Sequence, residues 1–274
     1  MKIYITGLPS GYEVEHLVRL FYPMAPLTLT APEDGEDCVW AEKKPDGLWA
    51  MVRERGKSKT ARALLPDIET PEFALASLTY DLLRAWTGIR PPWGKMTGVR
   101  PVRLIHDKRA AGWSEEDIDQ FFLGRFDCSR QKYQMAKAIA DLQEPILKAG
   151  SVPKTYSLYI GIPFCPSRCS YCSFVSCNLD RDRKMVQPYV DCLCKEVAEI
   201  RAQAGRAGLT LCSIYIGGGT PTSLSAAQLR QLMGTVRENF DLTKVVEYTV
   251  EAGRPDCTDA EKLAVIKEYG ATRI

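Results

Sequence analysis

TYSLYIGIPFCPSRCSYC, residues 155–172, joins an apolar run to a polar loop that holds three cysteines, Cys165, Cys169 and Cys172. The run 155–163 is short, rich in β-branched and aromatic residues and closed by a proline, which predicts a strand. The C-x3-C-x2-C loop follows it directly. Downstream, a rhythm of strand, loop and helix repeats. Val186, Val190, Leu193, Val197 and Ile200 mark one face of a long helix. LCSIYIGGG, residues 211–219, predicts a second strand ending in three glycines. Ser225 and Gln228 then take capping-box positions before a helix that should bury Leu229, Leu232, Met233 and Val236. VVEYTVEAG, residues 245–253, predicts a third strand, and Thr258 with Glu261 repeats the capping-box pattern before a helix that stops at Gly270. ATRI begins a fourth strand.

Successive βα units define a parallel sheet, open or closed into a barrel, with functional residues at the C-terminal ends of its strands. Three units and the start of a fourth leave an unpaired parallel edge. The chain is therefore expected to be an incomplete version of a longer protein; the alternative is a small open sheet that ends at Ile274.

Residues 1–150 have another texture, that of an α+β domain. MKIYITG alternates as a strand does, and CVWAEKKPDGLWAMVRE reads as a hairpin turning at Pro45-Asp46-Gly47. Leu75, Leu78, Leu82 and Trp86 recur near helical spacing. PPWGKMTGVRPVRL is too rich in proline and glycine to be regular throughout. Ser114 is a plausible N-cap, and a last helix runs from about Ser129 until Pro145 ends or kinks it. Residues 150–153 read as a linker, so the expected domains are 1–150 and 154–274.

Composition narrows the function. A net charge of +2 leaves no electrostatic footprint for nucleic acid or an anionic membrane. No apolar run approaches the roughly 20 residues a membrane span needs, and residues 1–17 show no basic leader followed by an apolar stretch. A cytoplasmic protein is expected. In that reducing setting the ten cysteines do not read as a disulfide framework. Scattered ones, Cys38, Cys128, Cys212 and Cys257, are expected to be small buried hydrophobes.

The clustered three admit three readings. Structural zinc wants four ligands in tetrahedral closure. The only histidines, His16 and His106, lie in the other domain, which leaves Cys177 as a fourth ligand. Unliganded buried thiols are a second reading, which Pro166, Ser167, Arg168 and Ser170 disfavour by making the loop polar. The third is a 4Fe–4S cluster, whose protein ligands are thiolates. Three cysteines then leave one iron open to a small molecule, and an open metal site is where ligands bind and react.

C-x3-C-x2-C with Tyr171 before the last cysteine resembles the signature of the radical S-adenosylmethionine (SAM) enzymes. The wider stretches YIGIPFC from Tyr159, YCSF from Tyr171, GGGTPT from Gly217 and EAGRPD from Glu251 resemble the oxygen-independent coproporphyrinogen III oxidases (dehydrogenases), and among them the HemZ-type branch. The resemblance covers most of the chain. It implies an α/β fold, an N-terminal α+β domain followed by an incomplete radical SAM (β/α) partial barrel. It also implies that Cys165, Cys169 and Cys172 ligate a 4Fe–4S cluster, and that Tyr159, Tyr171, Gly218, Gly219, Thr220, Pro221 and Glu251 border SAM. An electron from a donor such as flavodoxin or ferredoxin would then cleave SAM to methionine and an adenosyl radical. The implied reaction is oxidative decarboxylation of two propionates of coproporphyrinogen III to vinyl groups, in haem biosynthesis. A tetrapyrrole with four carboxylates calls for cations, for which Arg168, Arg181, Arg183, Lys95, Arg100 and Arg103 are candidates. Gly161 and Phe174 stand where the decarboxylases usually carry histidine and cysteine. The C-x-F ending also resembles the related haem chaperones, so haem binding on the same fold is the alternative, with radical chemistry on another substrate as a third.

Overall fold

The computed structural model describes residues 1–65 and 69–274 and divides the chain into two compact units, 1–141 and 142–274. In the first unit the strands β1 (Lys2–Thr6), β2 (Leu27–Thr28), β3 (Cys38–Lys44), β4 (Gly47–Glu54) and β5 (Lys57–Ala63) form one sheet of order β2-β1-β3-β4-β5. The expected hairpin is β3–β4, antiparallel, with Lys44 opposite Gly47. Alternation sends Ile3, Ile5, Val39, Ala41, Ala50 and Val52 to one face. There α1 (Tyr12–Val18) and α2 (Pro71–Thr87) cover them with Val14, Leu17, Leu75 and Leu83.

Helices α3 (Pro101–Ala110), α4 (Glu115–Asp119) and α5 (Arg130–Gly150) gather a separate cluster around Ile105, Ile118, Phe122 and Tyr133. Ser114 caps α4 in a full capping box. Proline 145 does not end α5, which continues to Gly150. The carbonyl freed by the missing N–H belongs to exposed Asp141, where water can satisfy it. The division between the units falls within this helix, at 141/142.

The second unit is a βα array. Strands β6 (Thr155–Ile162), β9 (Thr210–Gly218) and β10 (Glu247–Val250) lie parallel in the order β10-β9-β6. Between β6 and β9 come the two-residue strands β7 (Phe164–Cys165) and β8 (Cys177–Asn178), then α6 (Leu179–Asp182) and α7 (Val186–Arg206). Helix α8 (Ala226–Asn239) follows β9 and α9 (Ala260–Glu268) follows β10. Arg273 makes a parallel bridge to Thr249, where the fourth strand was expected.

Alternation sorts this sheet's faces. Leu158, Ile160, Ile162, Ile214, Ile216, Tyr248 and Val250 pack against Val190, Leu193, Val197, Leu229, Met233, Val236 and Val265 of the helices. The other face carries matched rows: Ser157 beside Ser213, Tyr159 beside Tyr215, Gly161 beside Gly217.

Two expectations need correction. Ile200 is 39% exposed, and Ala204 takes the buried place one turn further along α7. The cap of α9 is Asp259, whose carboxylate accepts from the Lys262 N–H at 2.9 Å. Thr258 is not free for that role, since its hydroxyl donates to Thr222 Oγ1 at 2.9 Å. The capping box at Ser225 and Gln228 forms as expected.

Candidate cofactor site

The cysteine loop is tied at both ends. β7 pairs with β8, and the Cys177 N–H donates to the Pro163 carbonyl at 2.8 Å, so residues 166–176 leave and return at one point above β6. Sequence-adjacent thiols are thereby held over the C-terminal end of the sheet, where βα architectures place their ligands.

Cys165, Cys169 and Cys172 all line one open pocket of about 550 Å3. The same pocket is lined by Gly218, Gly219, Thr220 and Pro221 from the end of β9, by Glu251 after β10, and by Tyr171. Six predicted cofactor contacts and the three predicted ligands therefore meet at one place. Tyr159 does not line the pocket. It is 62% exposed and stacks on Tyr215, ring centres 5.8 Å apart and 12° from parallel.

The glycines are needed for close approach. A Cβ on Gly219 would lie 2.9 Å from Cys165 Sγ and 3.0 Å from the Pro163 carbonyl. The turn after β9 and the cysteine loop thus touch through bare backbone. Two of the thiols accept hydrogen bonds, and the third residue accepts one at its backbone. Thr220 Oγ1 donates to Cys165 Sγ at 3.3 Å, Arg254 Nη1 donates to Cys169 Sγ at 3.5 Å, and Arg168 Nη2 donates to the Cys172 carbonyl at 3.4 Å.

Three half-buried soft donors on one polar loop suit an iron–sulfur cluster. Among the described residues no group of three His, Cys, Asp or Glu side chains could hold a metal ion. A single ion needs several donors converging on one point, whereas in a cluster each ligated iron takes only one thiolate. Cys177, the sequence candidate for a fourth zinc ligand, packs against the apolar core of the unit and does not line the pocket.

Tyr215 and Arg254 are pocket residues that sequence reasoning missed. Tyr215 donates to Glu251 Oε1 at 2.7 Å. That hydrogen bond, with some burial and the carboxylate's charge, pushes the phenol up to about 12. Both had signals: Tyr215 shares Tyr159's face by strand alternation, and Arg254 lies inside EAGRPD.

The raised value predicts a pH effect. The Tyr215–Glu251 bond is fully present below the ordinary tyrosine range near 10 and is lost as pH rises through about 12. In a Glu251→Gln variant Tyr215 should ionise nearer 10, read by NMR of ring-labelled tyrosine. An unmoved titration would show that Glu251 is not the cause.

Of the cations proposed for a carboxylated substrate, only Arg168 lines this pocket, and among the described residues it forms no ion pair. Arg181 is paired with Asp182 at 3.0 Å, and Arg183 lies on the surface away from the pocket. Lys95 is largely buried on Ser77 and Asp81, Arg103 faces Asp107, and Arg100 is exposed. Cys38, Cys128 and Cys212 are buried as expected, whereas Cys257 is half-buried in a polar network, 3.6 Å from Thr222 Oγ1. Cys192 is exposed on α7, and Cys194 packs against the core.

A thiol trio and a glycine-rich strand end at the mouth of a parallel βα array are the parts of a radical SAM domain. No family model matches the chain, but individual proteins do. It is 36% identical over 201 residues to the oxygen-independent coproporphyrinogen III oxidase-like protein HemZ of Bacillus subtilis, a match covering 71% of this chain and 39% of that protein. The haem chaperone HemW of the same organism is 40% identical over 122 residues, 43% of this chain and 30% of the chaperone. The solved coproporphyrinogen III oxidase HemN of Escherichia coli, described as a radical SAM enzyme, is 28% identical over 48% of this chain and 30% of its own, with a TM-score of 0.39. The chain belongs to the radical SAM coproporphyrinogen oxidase family. It spans well under half the length of each of these relatives. A match over 71% of the chain must reach into the first unit.

Proposed function

We propose that this chain carries the cofactor-binding part of a radical SAM oxidoreductase that decarboxylates coproporphyrinogen III to protoporphyrinogen IX without oxygen. In domain terms, residues 1–150 are the N-terminal α+β domain and 154–274 the first portion of the barrel. The observation that carries the proposal is the single pocket shared by Cys165, Cys169, Cys172, the Gly218-Gly219-Thr220-Pro221 turn and Glu251.

The three cysteines would hold a 4Fe–4S cluster. When bound, that cluster and SAM supply the one-electron chemistry that removes a hydrogen atom from a propionate. The protein's own residues bind and orient. Gly218 and Gly219 let the backbone approach SAM without side chains in the way. Glu251 accepts hydrogen bonds from a hydroxyl or ammonium, held in place by the Tyr215 phenol. Arg168, free of ion pairs among the described residues, offers its guanidinium to a substrate carboxylate. Tyr171 and Phe174, 88% and 69% exposed, present rings against which the pyrrole faces of a tetrapyrrole can pack. The electron comes from a flavodoxin- or ferredoxin-like donor. The setting is cytoplasmic, in keeping with ten free cysteines. Among the described residues no helix is long and apolar enough to cross a membrane.

Haem binding without turnover is the second reading, favoured by the 40% identity to a haem chaperone. The protein reconstituted with iron and sulfide under exclusion of air separates the two. Carbon dioxide and protoporphyrinogen formed from coproporphyrinogen III, with SAM consumed, support the enzyme. Stable haem binding with no decarboxylation supports the chaperone and ends the proposal. SAM cleavage with neither outcome points to a different substrate.

A further inference from the structure

Among the described residues, the guanidinium of Arg254 is the one charged group hydrogen-bonded to a cysteine sulfur of the loop, and its hydrogen bonding is complete. Nε donates to Asp256 Oδ1 at 2.9 Å, and Nη2 to Asp256 Oδ2 at 2.5 Å. The opposite edge turns to the cysteine loop: Nη2 donates to Ser167 Oγ at 3.0 Å, and Nη1 to the Ser167 carbonyl at 3.3 Å and to Cys169 Sγ at 3.5 Å. These five contacts use all five N–H donors that an arginine possesses. The side chain is only 23% exposed, whereas Asp256 is 50% exposed.

An exposed arginine–aspartate pair two residues apart contributes little to stability by itself. What Asp256 does is aim the fork. With two donors anchored on the carboxylate, the remaining three point across to a loop more than eighty residues earlier in sequence. Loops between strands are mobile unless tied, and this contact ties the middle of the cysteine loop to the exit of β10.

We propose that Arg254 is a positioning and electrostatic residue of the cluster site: it clamps the cysteine loop and sets a permanent positive charge against Cys169, raising the reduction potential of the cluster that loop holds. The proposal rests on the cluster reading above. A cation hydrogen-bonded to a ligating thiolate stabilises the thiolate, and stabilises still more the additional negative charge that arrives with one electron. Net charge and hydrogen bonds to sulfur are among the levers that set such potentials. Lysine has the charge but three donors and no planar fork, so it can supply the field without the clamp.

The test uses the protein reconstituted anaerobically, as wild type, R254K and R254Q. Two quantities are read: the reduced-to-oxidised ratio of the cluster at fixed ambient potentials, by electron paramagnetic resonance, and the rate at which a chelator extracts the iron. In R254Q the ratio should fall at least tenfold at a given potential, equivalent to about 59 mV for a one-electron couple, and extraction should speed up severalfold. R254K should keep most of the wild-type ratio yet lose iron as fast as R254Q. A loaded R254Q cluster with the wild-type ratio overturns the electrostatic role, as does an R254K ratio equal to that of R254Q. Wild-type extraction rates in R254Q overturn the clamp. Failure of the wild-type protein to take up any cluster would instead refute the functional reading, so the two failures are distinct.

Discussion

Cys169→Ala should abolish the brown iron–sulfur chromophore of the reconstituted protein and reduce SAM cleavage to background. The reasoning is one of ligand number. Three thiolates hold three irons, and alanine offers no donor, so one more iron loses its only tie to the protein. Cys169 is the middle thiol, and the contact between its sulfur and Arg254 would be lost with it. The loop lies outside the apolar core of its unit, whose cluster contains none of the three ligands. Folding should therefore be spared, with a circular dichroism spectrum and melting temperature close to those of wild type. Cys192→Ala is the matched control: that thiol is exposed on α7 and should leave the iron content unchanged. Iron, acid-labile sulfide and visible absorbance measure the result. A C169A protein that kept its full complement of iron would sink the ligand assignment.

Gly218→Ala should destabilise the second unit by about 3 kcal/mol, the upper end of what a forced backbone conformation costs, with a steric clash added. Gly218 has φ 112°, a region side chains rarely enter, and it pairs with Ile162 across the β6–β9 ladder. A Cβ there would meet the Ile162 carbonyl oxygen at 2.9 Å and the Ile162 nitrogen at 3.0 Å. Both are backbone atoms of the neighbouring strand, so relief requires opening the ladder under the pocket. Urea unfolding of G218A against wild type reads the effect. Gly150→Ala, with no atom within 4 Å of its added Cβ, should stay within about 0.5 kcal/mol of wild type. A midpoint for G218A equal to that of G150A would show that the strand end does not have this geometry.

How much of this was legible beforehand differs by length scale. The strands β6, β9 and β10 and the helices after them could be read from residues 154–274 because hydrophobic periodicity and capping act within a few residues. The Ser225–Gln228 box formed at its predicted positions, while the start of α9 slipped by one residue because Thr258 was taken by Thr222, a distant partner no local pattern reveals. Of the two outcomes expected at Pro145, an end or a kink, the end did not occur: whether a proline ends a helix depends on what satisfies the carbonyl it frees.

The site divides in the same way. Three cysteines within eight residues must share a loop, and a glycine run ending a strand must lie near that strand's mouth; primary structure alone sufficed to nominate both, and with them the family. Which side chains face one another was settled by register and loop path. Pairing Tyr159 with Tyr215 left the first stacked and exposed and brought the second to Glu251. Long-range packing carried Arg254 to Cys169, and it turned Lys95 inward to Ser77 and Asp81. Local propensity is written in adjacent residues. Proximity across strands emerges only from the sum of many weak contacts along the whole chain, so the ligands could be named from their spacing, and the groups that orient them could not.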